Sequence, residues 1–357
     1  MTYFTVEYDM ASRTTVQEAA QALAIGQSIG NPNIRSQYET SEIIENNCAR
    51  VESVEGSKVK IKFPLINLNL EQDGISHLLC MIQGGQLDID IITRCRVMNI
   101  DISNFPKVQP KFGLSGIRQY TKSYGRPLLG CIIKPKIGLK PKELSGIVSM
   151  MIEGGANIIK EDEILASPLF CRLEDRLPYI RDVIQDRNVV YLTCINADAD
   201  RVFDKVRTVN EAGVNGIHFN FWGGLGNYRA IRKLNLPLVF HYQKSGDKIL
   251  TGKDNPFGIE WHVLCKLAVL CGIDTIHAGM WGGYLNDDPI ELKSIMDLLS
   301  SNNIVPALSC GMNAQVIPKV TEKFGVDYLA NVGGAVHTNK DGIVSAVKEL
   351  RNAIDHV

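Results

Sequence analysis

In the stretch GGANIIKEDEILAS (154–167), an apolar run through Ile158 and Ile159 opens abruptly onto Lys160, Glu161, Asp162 and Glu163. On an extended strand, side chains two apart share a face, so Lys160 and Asp162 point together while Glu163 turns at the exit. Two neighbouring carboxylates suit Mg²⁺, which takes a few protein oxygens and completes its octahedron with water and substrate. A second pair, Lys134 and Lys136 in IIKPKIG, also shares a face. A partly buried lysine close to a divalent cation has a depressed pKa and can serve as a general base. The ordinary reading of either stretch is a charged strand end running into solvent. What separates the two readings is whether other chemically capable residues gather at the same place.

The elements that must position these residues fall into two kinds. Up to about residue 120, strands and helices mix without regular alternation. YFTVEY (3–8) reads as a strand, VQEAAQALAIGQ (16–27) as a helix, and 48–65 as two strands around the turn Glu55-Gly56-Ser57. A short helix at 75–84 and a strand within 89–102 complete the order β-α-β-β-α-β of a ferredoxin-like α+β domain. Beyond it, apolar strand-like runs recur at 128–133, 157–160, 189–195, 216–221, 237–242, 274–279, 305–310 and 327–332, with helix-like stretches between them. Eight strand–helix units of about 28 residues predict a closed (β/α)8 TIM barrel, an α/β fold. The expected division is a ferredoxin-like domain over 1–122 and a barrel over 123–357. No GxGxxG follows the first barrel strand, which argues against a dinucleotide site.

Catalytic groups of such a barrel stand where the strands end and the βα loops converge. Read in order, the exits present Lys134-Pro135-Lys136, then Lys160, Asp162 and Glu163, then Asn196, Asn220, His241, His277, Ser309 with Gly311, and Gly333-Gly334. Each alone has a plain explanation, since a single histidine in an apolar strand is commonly a hydrogen-bonded core residue. Lysines, adjacent acids, histidines and glycines at one barrel mouth have none. The loops after strands seven and eight are this barrel's usual phosphate position, where Gly311, Gly333 and Gly334 would expose backbone N–H groups. Metal, amine base and phosphate cradle together predict proton abstraction beside a carbonyl in a phosphorylated sugar derivative.

The bulk properties fit a globular enzyme. The chain has 357 residues with 45% hydrophobic and 22% charged content, and a formal net charge of −1 without long charge blocks. Neither a nucleic-acid surface nor a polybasic membrane patch is expected. Nine cysteines, odd in number and without a CxxC pair, suit free thiols in a reducing compartment. The start MTYFTVEYDMAS lacks the pattern of a signal peptide, and no apolar segment approaches a membrane span, so a cytoplasmic location is expected.

RPLLGCIIKPKIGL (126–139) followed by GGANIIKEDE (154–163) resembles the signature of the RuBisCO large-chain superfamily. The resemblance extends over nearly the whole chain, through AAQALAIGQSIGN, PKFGLSGIR, ALSCG and NVGGA. It implies a homodimer whose active sites lie at the subunit interface. It also implies that Lys160 is carbamylated by CO₂ and ligates Mg²⁺ beside Asp162 and Glu163. An ammonium cannot bind a metal, whereas a lysine carbamate is an oxygen anion. By the same resemblance Lys134 is the enolising lysine, Lys136 the second lysine, and His241 and His277 the active-site histidines. Ser309, Gly311, Gly333 and Gly334 would then hold substrate and phosphate.

The departures from that pattern are equally specific. Carboxylases carry an arginine after the first of these histidines, where this chain has Tyr242. They carry a lysine on the mobile loop after the sixth strand; here that loop is MWGGYLNDD, with Tyr284 near the lysine's place. The family's glutamate, threonine and tryptophan of the N-terminal domain correspond to Gly26, Asn31 and Pro32, and an asparagine there to Gly85. The chain therefore resembles the RuBisCO-like proteins, the type IV relatives, and carbon fixation is not expected. The resemblance implies an isomerase or enolase acting on a phosphorylated keto-sugar derivative. A decarboxylase of a phosphorylated 3-oxo sugar acid and a non-catalytic regulatory or structural dimer are the alternatives. Met280 and Trp281 either pack against a methylthio group of the substrate or merely cover the barrel mouth.

Overall fold

The computed structural model describes residues 2–31, 33–34 and 36–357; Pro32, matched above to the family's tryptophan, lies outside the described residues. The first strands are β1 (Tyr3–Ser12), β2 (Arg50–Glu55), β3 (Lys58–Pro64) and β4 (Ile92–Ile100). The chain continues through β5 (Leu128–Ile132), β6 (Ile158–Lys160), β7 (Val190–Cys194), β8 (Gly216–Asn220), β9 (Val239–Gln243), β10 (Phe257–Ile259), β11 (Thr275–Gly279), β12 (Val305–Leu308) and β13 (Leu329–Val332). It forms two compact units, residues 1–107 with 246–270, and residues 108–245 with 271–357.

The first unit is built on a five-stranded sheet of order β10-β4-β1-β3-β2. β1 runs antiparallel to both β3 and β4, with Val6 opposite Ile61 and Ile100. Alternation along β1 sends Phe4, Val6, Tyr8 and Met10 into the core, all at most 1% exposed. The helix Val16–Gly26 starts at a Thr15–Glu18 capping box, which satisfies otherwise orphaned N–H groups. It buries Ala19, Ala20, Leu23 and Ala24. After the short helix Ser41–Asn47, the helix Gly74–Ile82 ends at Ile82, whose carbonyl accepts from the Tyr8 hydroxyl at 2.9 Å. This is the ferredoxin-like order.

The compact units do not coincide with a single cut at residue 122. β10 pairs parallel to the edge strand β4, placing Gly258 beside Arg96. Arg96, 1% exposed, donates to Glu260 Oε1 at 2.6 Å and to the Gly252 carbonyl at 2.7 Å. A buried guanidinium needs this many acceptors, so segment 246–270 is held to the first unit. The helix Gly113–Thr121 belongs to the second unit. Its entry is fixed by Asp274 Oδ1, which accepts from the N–H groups of Phe112 (2.8 Å) and Gly113 (2.9 Å).

The second unit is a closed barrel in the order β11-β12-β13-β5-β6-β7-β8-β9, every neighbouring pair parallel. Leu128, Ile158, Val190, Leu192, Val239, Val305, Ala307 and Leu329 form one core cluster with Ile117 of the 113–121 helix. Each such side chain contributes roughly 1.5–3 kcal/mol by leaving water. Two residues further along the same strand faces, side chains become polar: Lys160 follows Ile158, His241 follows Val239 and Asn331 follows Leu329. That period of two carries the apolar floor upward into the chemistry at the strand ends. Among the described residues, no helix is long and apolar enough to cross a membrane.

Candidate active site

A cavity of about 400 Å³ lies at the C-terminal ends of the barrel strands. Of the lysine, acid, amide, histidine, serine and glycine exits singled out in the sequence, all but Asn196, Asn220 and His241 line it. At the end of β6, Lys160 is 1% exposed, with its ammonium 3.6 Å from Glu163 Oε2 and 3.0 Å from the Glu161 carbonyl. Burial lowers its pKa, against the opposing pull of Glu163 and Asp162. Burial would raise the Glu163 carboxyl, but Lys160, a hydrogen bond from Ser245 and the charge of Lys136 hold it below its ordinary value. Asp162 Oδ2 accepts from Lys134 Nζ at 2.6 Å, which joins the ends of β5 and β6. The backbone N–H of Lys134 donates to His337 Nε2 at 3.1 Å. Glu161 points to the opposite side of β6, where it meets Arg176 with both side chains fully buried.

At the end of β11, His277 Nδ1 lies 3.0 Å from the Lys244 carbonyl, and Nε2 lies 2.9 Å from Ser309 Oγ. A carbonyl only accepts, so Nδ1 carries the hydrogen, and in the neutral ring Nε2 accepts from the Ser309 hydroxyl. Gly311, with φ +113°, stands against the loop after β11, and an added Cβ would come within 2.6 Å of the Tyr284 nitrogen. Gly333 and Gly334 complete the wall at the end of β13.

His241 lies deeper than the cavity lining. It is fully buried inside the barrel, with Nδ1 3.4 Å from Thr275 Oγ1 and Nε2 3.3 Å from Gln243 Oε1. Burial and the charge of Lys160 push its pKa well below the ordinary histidine value. The cause is strand length: β9 runs on to Gln243, so its exit residues are Gln243, Lys244 and Ser245, which do line the cavity. Met280 and Trp281 do not line it. Met280 is fully buried, and Trp281 packs edge-on against Phe324 at 5.8 Å under the ammonium of Lys323. Tyr284 is the aromatic residue of that loop that reaches the cavity. Tyr242 is 1% exposed and packs edge-on against Tyr228 at 5.3 Å, away from the cavity lining.

The donor set can be tested against a divalent cation. Among the described residues no three His, Cys, Asp or Glu side chains gather as a metal cluster. Asp162 and Glu163 are two carboxylates beside a buried lysine in one cavity, and Lys160 is the residue placed to add a third anionic oxygen. As a carbamate that residue supplies it, and the oxygen-only set that results suits Mg²⁺.

The catalytic-domain model of the ribulose bisphosphate carboxylase large chain matches residues 113–305, more than half of the sequence. The chain belongs to the RuBisCO large-chain family. This RuBisCO-family chain is 29% identical to the ribulose bisphosphate carboxylase of Pyrococcus furiosus over 363 residues, covering 95% of this chain and 84% of that one. It is 26% identical to the 2,3-diketo-5-methylthiopentyl-1-phosphate enolase of Microcystis aeruginosa over 367 residues, covering 99% and 93%. The solved structure of octameric ribulose-1,5-bisphosphate carboxylase/oxygenase from Pyrococcus horikoshii OT3, in complex with sulfate, superposes with a TM-score of 0.88 at 25% identity. That likeness covers 99% of this chain and 87% of the other. Family members thus include both carboxylases and an enolase.

Proposed function

We propose that this RuBisCO-family protein enolises a phosphorylated keto-sugar derivative, as an isomerase or enolase, and does not fix CO₂. One observation carries the reading: Lys134, the Lys160-Asp162-Glu163 group and the Ser309, Gly311, Gly333 and Gly334 wall share a single cavity. Carbamylated Lys160, Asp162 and Glu163 would hold Mg²⁺. Bound there, the ion supplies electrostatic stabilisation to negative charge developing on a substrate carbonyl oxygen. Lys134 Nζ, as the free amine, takes the proton from the carbon beside that carbonyl. Asp162, whose Oδ2 lies 2.6 Å from Lys134 Nζ, holds that group in place. Lys136 is the second cation at this wall. The Ser309 hydroxyl, oriented by His277 Nε2, fixes a substrate hydroxyl. The glycines offer backbone N–H groups to the phosphate.

Two features support a non-carboxylating member. No arginine lines the cavity among the described residues, and the loop 280–288 brings Tyr284, not a lysine, to its rim. The enolase relative acts on a phosphorylated diketone by its printed name, in keeping with enolisation as the retained step. A homodimer with the active site at the subunit interface, in the cytoplasm, completes the proposal.

Proton NMR in D₂O with Mg²⁺ and bicarbonate tests it. The panel holds 5-methylthioribulose 1-phosphate, 2,3-diketo-5-methylthiopentyl 1-phosphate and a phosphorylated 3-oxo sugar acid. Deuterium is expected at a carbon next to the carbonyl of at least one substrate, and EDTA abolishes it. Turnover unaffected by EDTA would refute the metal-assisted reading, and loss of carboxylate as CO₂ from the sugar acid would make the enzyme a decarboxylase. A second expectation concerns the cradle. Gly311→Ala, at a left-handed φ and against the Tyr284 nitrogen, costs about 1 kcal/mol or more of stability. It also weakens inorganic phosphate binding, both readable by urea melts and calorimetric titration.

A further inference from the structure

Three strand exits converge on Glu163 by a hydrogen-bond chain with a defined direction. Ser245 Oγ, just past β9, lies 2.9 Å from Glu163 Oε1, and a carboxylate only accepts, so the serine donates its single proton there. Asn220 Nδ2, at the end of β8, donates to the same Ser245 Oγ at 2.7 Å and to the Ser245 carbonyl at 3.0 Å. Asn196, past β7, accepts the Asn220 backbone N–H at 2.8 Å through Oδ1, and its Nδ2 donates to the Glu163 carbonyl. The Asn196 carbonyl is itself held by Lys205 Nζ at 2.9 Å. Serine and asparagine on this path each have donor and acceptor both in use.

The chain fixes which oxygen of Glu163 does what. Oε1 is occupied by Ser245, whereas Oε2 faces Lys160 Nζ at 3.6 Å. A glutamate at a strand exit has three rotatable bonds, and holding it in one rotamer costs side-chain entropy. If that rotamer is set beforehand, the cost is not charged against metal binding. Outer hydrogen-bond partners of ligating carboxylates characteristically change metal affinity by about 10–100-fold.

We propose that Ser245 and Asn220 are positioning residues that pre-set Glu163 as a monodentate metal ligand through Oε2, with Asn196 bracing the same loop. This inference rests on the metal-site reading given above. The effect of Ser245 is transmitted through Glu163 alone, and Asn220 acts through Ser245.

The test is calorimetric titration of Mg²⁺ into the full-length protein equilibrated with bicarbonate, alongside thermal melts of each protein without metal. Ser245→Ala is expected to weaken Mg²⁺ binding about tenfold or more. Ser245→Thr, which keeps the hydroxyl, restores most of it. Asn220→Ala weakens binding by a smaller factor, and the Ser245→Ala/Asn220→Ala pair binds no worse than Ser245→Ala, because both act on one path. Mg²⁺ affinity unchanged in Ser245→Ala, with wild type binding normally, would overturn the positioning role and leave the metal site standing. Additive losses in the pair would also overturn it, since they mean separate routes. Absence of Mg²⁺ binding by carbamylated wild type, checked by mass spectrometry for the CO₂ adduct, would overturn both readings together.

Discussion

Lys134→Met is expected to slow deuterium incorporation into substrate by about a thousandfold while leaving Mg²⁺ affinity unweakened. A positioned general base typically contributes 10²–10⁴-fold. The 2.6 Å contact between Lys134 Nζ and Asp162 Oδ2 places that amine at the carboxylate proposed to hold the metal. Methionine keeps the length and apolar stem but cannot accept a proton. Removing the cation also removes a competitor for the Asp162 oxygen, so metal binding is not expected to suffer. Lys160→Ala gives the contrasting pattern: exchange and Mg²⁺ binding are lost together, because the proposed carbamate oxygen goes with this side chain. NMR exchange and calorimetry on both variants separate a base from a ligand. If Lys134→Met exchanged at the wild-type rate, the proton would have to leave through another group, with Lys136 the next candidate at the same wall.

Much of this arrangement was legible because barrel strands have a period of two and end where the chain turns polar. Ile158 and Lys160 on one face, and Glu161 on the other, follow from that period alone, and all three stand as it requires. Other features carry no local signal. Tyr242 looks like a last apolar residue, so the sequence predicts the end of β9 one residue early, whereas the strand continues to Gln243. His241 lies inside the barrel, while Ser245, which has no signal of its own in the sequence, stands at the cavity. β10 is three residues long and owes its place to a pairing with β4 and to the Arg96–Glu260 ion pair, partners 164 residues apart. No window of sequence holds both. Trp281 follows the same rule, since its neighbour Phe324 lies on a helix more than forty residues away. The hydrogen-bond path from Asn220 to Glu163 also spans three strand exits. Asn196 and Asn220 were visible as polar exits, but their partners become apparent only when the barrel closes.

Arg176→Leu is expected to destabilise the protein by about 3–5 kcal/mol, the usual consequence of leaving one member of a buried ion pair without its partner. For a unit of this size that corresponds to a fall in melting temperature of roughly 6–20 °C. Arg176 and Glu161 are both fully buried, and the pair is bidentate, with Nε to Oε1 at 2.7 Å and Nη2 to Oε2 at 2.8 Å. Arg176 also donates to the carbonyls of Cys171 (3.0 Å) and Ala166 (2.7 Å), tying down the loop that follows Glu163. Glu161 meanwhile accepts from the Tyr191 hydroxyl and the Cys194 N–H, each at 2.7 Å. Burial and the Glu161 charge push the Tyr191 phenol well above its ordinary pKa, so it remains a donor to that carboxylate. Because Glu161 lies between Lys160 and Asp162 in sequence, its anchorage fixes the backbone from which the proposed metal ligands project. Loss of Arg176 should therefore lower Mg²⁺ affinity as well as stability, although the side chain points away from the cavity. Arg176→Lys keeps the charge but not the planar fork, and should recover only part of both. Replacing Glu161 and Arg176 together by leucine removes the unpaired charge and should recover stability relative to Arg176→Leu. It should not recover metal affinity, because the β6 exit would still lack its anchor. Thermal melts and Mg²⁺ titration on the same three variants distinguish a support for the site from a support for the fold alone.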